Sequence, residues 1–375
     1  MRIVNSLIII LFFFCSCVKR ENNISQHTTD KYSPTYSGNF KISKFDDSLN
    51  TLITVYNPWQ GAEDISSQLL IVRDGDLPEG FQGQILKGDA KRIICMSSTH
   101  IAMMDALEAI NNIVGVSGKE YISNPKLIAR ADLLPDVGYE GNIDYEAIIA
   151  SKPDLILLFS VNGESTLAPK LNELKIPYLY IGDYLEDSPL GKTEWLVPIA
   201  EVIGEYDKGV EKFKEISGRY EFLRNEMSEK EIERPKVMLN APFGDSWFMP
   251  STESYVARMI NDAGADYIYR KNTGNSSLPI DLEEALNLVS NADYWLNIGT
   301  MNSKNEVIKN FPKFKTAKCI EDGKIYNNNL KVNPNGGNDC YESGVVNPDL
   351  ILRDLIKIFH PEFIGEEFVY YHRLE

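Results

Sequence analysis

A chain of 375 residues, 43% hydrophobic and 25% charged, is long enough for two domains and apolar enough to give each a core. Its formal net charge of −16 argues against a nucleic-acid partner, whose phosphates need clustered Lys and Arg. Beyond residue 17 the cysteines are Cys95, Cys319 and Cys340, an odd number with no C-x-x-C pair, which argues against a disulfide framework and leaves a Cys319–Cys340 bridge open.

In chain order, Arg2 and the apolar run Leu7–Phe14 are too short to span a bilayer and read as a signal peptide over residues 1–16. Ser16 is a small residue immediately before Cys17, the pattern a lipoprotein signal needs, so Cys17 is expected to be the lipidated mature N-terminus. The expected location is the periplasm, with the protein lipid-anchored to a membrane of a bacterial cell envelope. Residues 17–44, rich in Asn, Ser, Thr and Lys, predict a flexible tether. "LNTLITVYNPWQ" and "SSQLLIVRDG" predict the two strands of a hairpin.

From Lys91, strands and helices alternate through "RIICMSS", "THIAMMDALEAI", "IVGVS", "DYEAIIAS", "DLILLFS", "ESTLAPKLNEL" and "PYLYIG". Such alternation predicts a parallel sheet covered by helices on both faces. A long helical stretch follows, roughly Lys192 to Glu231, divided by Gly204. In its second part Tyr206, Val210, Phe213, Ile216, Tyr220, Leu223 and Met227 recur every three or four residues and form one apolar stripe. About 26 residues would give a rod of roughly 39 Å, long enough to cross a domain boundary. Alternation then resumes through "KVMLN", "SWFMP", "SYVARMINDAG", "YIY", "DLEEALNLV", "YWLNIG", "KIYNN" and "PDLILRDLIKIF". The predicted fold is α/β: two Rossmann-like lobes, residues 45–190 and 235–375, joined by a long rigid helix within residues 191–234.

The stretches "NIDYEAIIASKPDLILLF" and "PIDLEEALNLVSNADYWLNIG" repeat one device in corresponding places. In each an Asp, Asp144 or Asp281, can cap a helix whose first turn is acidic. Capping is a complete structural account of that pattern. The functional account is that each lobe displays one carboxylate on a common rim, for a two-fold partner bearing Arg.

These stretches, together with "KRIICMSSTHIAMMDALEAINNIVGVS", the mid-chain helix and "SWFMPSTESYVARMINDAGADYIY", resemble the class III periplasmic solute-binding proteins of ABC importers, the TroA-like group that carries ferric siderophores, haem and cobalamin. The resemblance runs from about Lys91 to Phe359. It implies a membrane-anchored capture protein, not an enzyme, that is a monomer without a cofactor and delivers a metal chelate to a permease dimer. It further implies that Glu146 and Glu283 dock on that permease, with Glu284 a rival for the second position.

In open α/β sheets the ligand lies beyond the carboxyl ends of the strands. With two lobes, that is the cleft between them. The candidate ligand contacts there are Thr99, His100, Tyr139, Phe243, Trp247 and Tyr341, while Glu342 is expected to be solvated. Of four His, His27, His100, His360 and His372, one is well placed, so no metal site made by the protein is expected. The alternatives are a surface lipoprotein that handles a chelate without its own permease, and a chelatase-like enzyme.

Overall fold

The computed structural model describes residues 28–75, 81–244, 246–274 and 276–375. The expected signal peptide, Cys17, His27 and tether residues 17–27 lie outside the described residues. The first sheet is β1 (Thr28–Tyr32), β2 (Phe40–Phe45), β3 (Thr51–Tyr56), β4 (Ser66–Val72) and β5 (Gln84–Lys87), paired in that order. The predicted hairpin is β3 against β4, antiparallel with Ile53 opposite Leu69.

Residues 28–44 are therefore not a tether: they supply β1 and most of β2. Composition misled here because a strand with one solvated face is half polar. Phe40 and Ile42 of β2 join Ile53, Val55, Leu69 and Ile71 in the core of the first lobe. The turn between β1 and β2 is held by two buried carboxylates. Glu194 accepts the backbone N–H groups of Thr35, Tyr36 and Ser37 and the Tyr32 hydroxyl at 2.7–2.8 Å. Glu186 accepts from Ser37, Asn39 and the Trp195 indole.

Each lobe is then built on a parallel sheet. The first contains β6 (Ile93–Cys95), β7 (Ile113–Val116), β10 (Leu155–Leu158) and β11 (Tyr178–Tyr180), with the small hairpin β8 (Gly138–Tyr139) and β9 (Asn142–Ile143) between them in sequence. Its helices are α1 (Ser98–Ala106), α2 (Pro125–Ile128), α3 (Tyr145–Ser151) and α4 (Ala168–Leu174). β6 and β10 are completely buried apolar runs, as strands covered on both faces must be.

Three helices lead to the second lobe: α5 (Pro189–Glu194), α6 (Leu196–Ile203) and α7 (Tyr206–Ser228). The second lobe contains β12 (Lys236–Leu239), β13 (Ser246–Met249), β14 (Asp266–Tyr267), β15 (Leu278–Asp281), β16 (Tyr294–Leu296), β17 (Ile325–Asn327) and β18 (His372–Arg373). Its helices are α8 (Tyr255–Asp262), α9 (Leu282–Ser290), α10 (Lys304–Asn310), α11 (Lys318–Glu321) and α12 (Pro348–Phe359).

The two parallel sheets share one strand order. The first runs β11-β10-β6-β7 and the second β17-β16-β12-β14, with β18 added antiparallel at the edge. Counted along each lobe, both read fourth, third, first, second. The repeated device sits at matched points. Hairpin β8–β9 precedes α3 and β10, and hairpin β13–β15 brackets α8 and precedes α9 and β16. Asp144 caps α3 by accepting the Ala147 N–H, and Asp281 caps α9 by accepting that of Glu284. Asp154 accepts the N–H groups of Lys91 and Arg92, as Asp293 accepts that of Lys236.

Helix α7 has 23 residues, about 34 Å at 1.5 Å each. Its single stripe serves both cores: Phe213 and Ile216 pack into the first lobe, Tyr220 and Met227 into the second. On another side the loop 333–342 of the second lobe clasps residues 120–123 of the first. Asn333 donates to the Glu120 and Ile122 carbonyls, and Asn335 to Glu120. Gly337 lies so close that a Cβ there would stand 1.8 Å from the Tyr121 carbonyl oxygen. Among the described residues no helix is long and apolar enough to cross a membrane.

Candidate functional site

Between the lobes lies a cavity of about 300 Å³ with mostly apolar walls. The first lobe reaches it from the carboxyl ends of its strands: Ser97 and Thr99 follow β6, Phe159 and Val161 follow β10, Asp183 and Tyr184 follow β11, and Lys192 comes from α5. The second lobe supplies Tyr255 and Met259 of α8, Asn297 after β16, Asn328 after β17, Cys340 and Tyr341 from the clasp loop, Ile351 of α12, and Tyr371.

One ion pair sits in this wall. The Lys192 ammonium donates to the Asp183 carbonyl at 2.8 Å, lies 4.0 Å from the Asp183 carboxylate, and stands 5.0 Å over the Tyr255 ring. Burial pushes the Asp183 carboxyl above its usual range, with Lys192 and the Thr99 hydroxyl pulling it back. Burial likewise lowers the Lys192 ammonium, opposed by Asp183. The Tyr341 hydroxyl accepts from the Asn328 amide at 2.9 Å, and burial raises that phenol. The Tyr184 hydroxyl donates to the Ser160 carbonyl, fixing its ring beside Phe159. Aromatic faces and a few fixed polar groups are what a site for a compact, partly apolar small molecule requires.

The structure brings together two of the six expected contacts, Thr99 and Tyr341. His100 is 0% exposed and lies against Phe159, with neither ring nitrogen hydrogen-bonded. Burial pushes its pKa down to about 3, so it is neutral across the working range. It points into the lobe because position 100 of α1 faces the sheet, whereas Thr99 faces the cleft. Trp247 is also 0% exposed and is core: its indole donates to the Leu239 carbonyl at 2.7 Å and packs on Trp295 and Phe314. Tyr139, in β8, and Phe243, on the loop after β12, are exposed outside the cavity lining, Phe243 at 81%. Glu342, expected in solvent, is 2% exposed and accepts the Ser123 N–H at 2.7 Å across the lobe boundary. Cys95, Cys319 and Cys340 are all buried free thiols.

A family model described as periplasmic binding protein matches residues 93–328, more than half of the chain. The chain belongs to this family. The match begins at β6, so the sheet β1–β5 precedes it. A relative in Methanocaldococcus jannaschii, an uncharacterized lipoprotein, is 24% identical over 354 residues, 87% of this chain and 81% of the relative. A periplasmic haem-binding protein from Pseudomonas aeruginosa superposes with a TM-score of 0.59 at 17% identity, covering 76% of this chain and 98% of its own. An ABC-type Fe3+-hydroxamate transport protein from Saccharomonospora viridis gives 0.54 at 17% identity, covering 73% and 94%. The structural likenesses show the fold, a two-lobed α/β architecture, and membership of the periplasmic binding protein family implies an extracytoplasmic setting.

The two helices that follow the capping aspartates correspond in position. Glu146 is the second residue of α3 and Glu283 the second of α9, each two positions after its capping Asp, and both side chains are exposed. Glu284 is partly buried and held by Lys271 at 2.5 Å. Register therefore pairs Glu146 with Glu283. The sequence reading missed Asp183, Lys192, Asn297 and Asn328. Asn297 and Asn328 each directly follow a strand, and Asp183 lies three residues past one. The carboxyl-end rule, applied to every strand, would have found these three. Lys192 sits inside a helix and carries no such signal.

Among the described residues no group of three or more His, Cys, Asp or Glu side chains is gathered as metal ligands would be.

Proposed function

We propose that this chain is the lipid-anchored substrate-binding subunit of an ABC importer, held to the membrane through Cys17. It captures an iron chelate or related metal macrocycle between its lobes and delivers it to a permease dimer. The observation that carries this reading is the cavity itself: it lies at the carboxyl ends of two sheets of identical strand order and is walled by aromatics from both. The haem and Fe3+-hydroxamate associations of the structural neighbours support the same chemistry.

Loading requires little movement. Helix α7 is embedded in both cores and the clasp loop ties the lobes on another side. The lobes then close by a small angle, a motion that ligand-bound and ligand-free scattering curves measure. No bond of the cargo is made or broken by the protein.

The test is a binding screen of fragment 28–375 against ferric siderophores, cobalamin and haem by calorimetry. One chelate is expected to bind at micromolar affinity or tighter. Tyr341→Ala should weaken it about tenfold or more, since a cleft aromatic typically contributes about 1–3 kcal/mol. No binding across the panel would overturn the reading.

Docking is expected to rest on Glu146 and Glu283. The double variant Glu146→Arg/Glu283→Arg should cut uptake in whole cells about tenfold or more, because like charges then face the permease, with binding unchanged within about twofold. Undiminished uptake would favour a surface lipoprotein that works without its own permease.

A further inference from the structure

The charge of the cleft wall is set by two side chains. Of the side chains lining the cavity, Asp183 and Lys192 are the ones that carry charge, and they face each other. The Lys192 ammonium is already engaged by the Asp183 carbonyl and lies over the Tyr255 ring. The remaining polar groups are neutral: the Asn297 and Asn328 amides, hydroxyls and phenols. Among the described residues the wall thus has no net charge and no free cation, in a chain of net charge −16.

An anionic ligand entering such a site would lose its hydration and gain no counter-charge, which costs several kcal/mol per ion. It would also approach against the field of an acidic protein. A ligand of zero net charge meets neither obstacle, whereas a cation, though drawn by the acidic surface, shares the desolvation cost. The apolar body of a neutral ligand is met by Phe159, Tyr255 and Tyr341, and its amides or hydroxyls by the two Asn side chains and the Asp183–Lys192 pair.

Resting on the capture reading above, we propose that the cargo is a chelate of zero overall charge, such as a ferric trihydroxamate, and that polyanionic chelates are rejected. The arithmetic of the complexes makes this testable. Three singly charged hydroxamates cancel a ferric ion, three doubly charged catecholates leave three negative charges, and haem carries two carboxylates.

The experiment titrates the full-length chain in mild detergent with a ferric linear trihydroxamate, a ferric tricatecholate and haemin, at low and high salt. The trihydroxamate is expected to bind most tightly, with an affinity indifferent to salt because no net charge is brought together. Asp183→Asn, which keeps the shape but removes the negative charge beside Lys192, should improve binding of the anionic chelates relative to the neutral one by about tenfold. Binding of haemin or the tricatecholate as tightly as the trihydroxamate would overturn the charge rule and leave the capture reading standing. Failure of all three to bind would overturn the trihydroxamate assignment, and failure of cobalamin beside them would overturn the capture reading as well.

Discussion

Replacing Glu194 with Ala should destabilise the protein by about 3–5 kcal/mol, among the largest effects of any single change. The carboxylate is completely buried at the end of α5 and accepts four hydrogen bonds, three of them from consecutive backbone N–H groups of the β1–β2 turn. Removing it leaves those donors in a dry site with no acceptor, and each orphaned backbone donor costs roughly 1–3 kcal/mol. The turn it holds carries Tyr36, which packs against both cores and donates to Glu221 of α7. Glu194→Gln should fall between: one oxygen still accepts, but the new amide N–H₂ faces donors. Urea unfolding followed by tryptophan fluorescence measures this, with Trp195 adjacent and buried. A loss under about 1 kcal/mol for the Ala variant would mean that water replaces the carboxylate.

Much of this architecture was legible before any coordinates. Alternating strand and helix patterns, the stripe on α7 and the repeated Asp-led device specify two α/β lobes and their joint, because period and capping are local properties. The strand order, and hence the topological identity of the lobes, depends on which strands pair and is written in no local stretch. The same limit explains the errors at the site. The rule that ligands lie beyond strand ends led to Thr99 and Tyr341, both of which line the cavity. It cannot tell which neighbouring side chain turns outward. Thr99 and His100 are adjacent, yet one faces the cleft and the other the sheet. Trp247 was attractive as a cleft aromatic, but in an alternating strand it takes the inward position, and Phe248 beside it is the exposed one. Trp247→Ala would therefore report on folding, whereas Tyr341→Ala reports on the cleft. The N-terminal tether failed for another reason: β1 and β2 gain their stability from Glu194, Glu186 and Glu201, all more than a hundred residues away.

Glu342 should make the protein's stability fall as pH rises from about 4.5 to about 7. Burial is the main cause of its raised pKa, about 7 against an ordinary 4.5, with the Ser123 N–H opposing it and Asp339 and Asp105 adding repulsion. Lys212 and Arg219 of α7 line the same pocket, but Lys212 is bound to Glu215 and Arg219 to Asp349. The sign follows from proton counts. Between those pH values the folded protein holds a proton on Glu342 that the unfolded chain has released. The resulting stabilisation is complete below about 4.5 and lost as pH rises through 7. A shift from 4.5 to about 7 corresponds to at most about 3 kcal/mol. Glu342→Gln keeps an acceptor for the Ser123 N–H but cannot ionise, so it should be the more stable protein at pH 8 and no different near pH 4. Asp183, Glu186, Asp262 and Asp354 are also raised by burial and slope the same way, so the informative quantity is the difference between wild type and variant across the range. A difference independent of pH would show that Glu342 keeps its ordinary titration. Because Glu342 lies between the clasp loop and the first lobe, its buried charge and the repulsion from Asp105 should loosen the clasp above neutrality, read as lower amide-exchange protection along residues 333–342 in the wild type than in Glu342→Gln at the same pH.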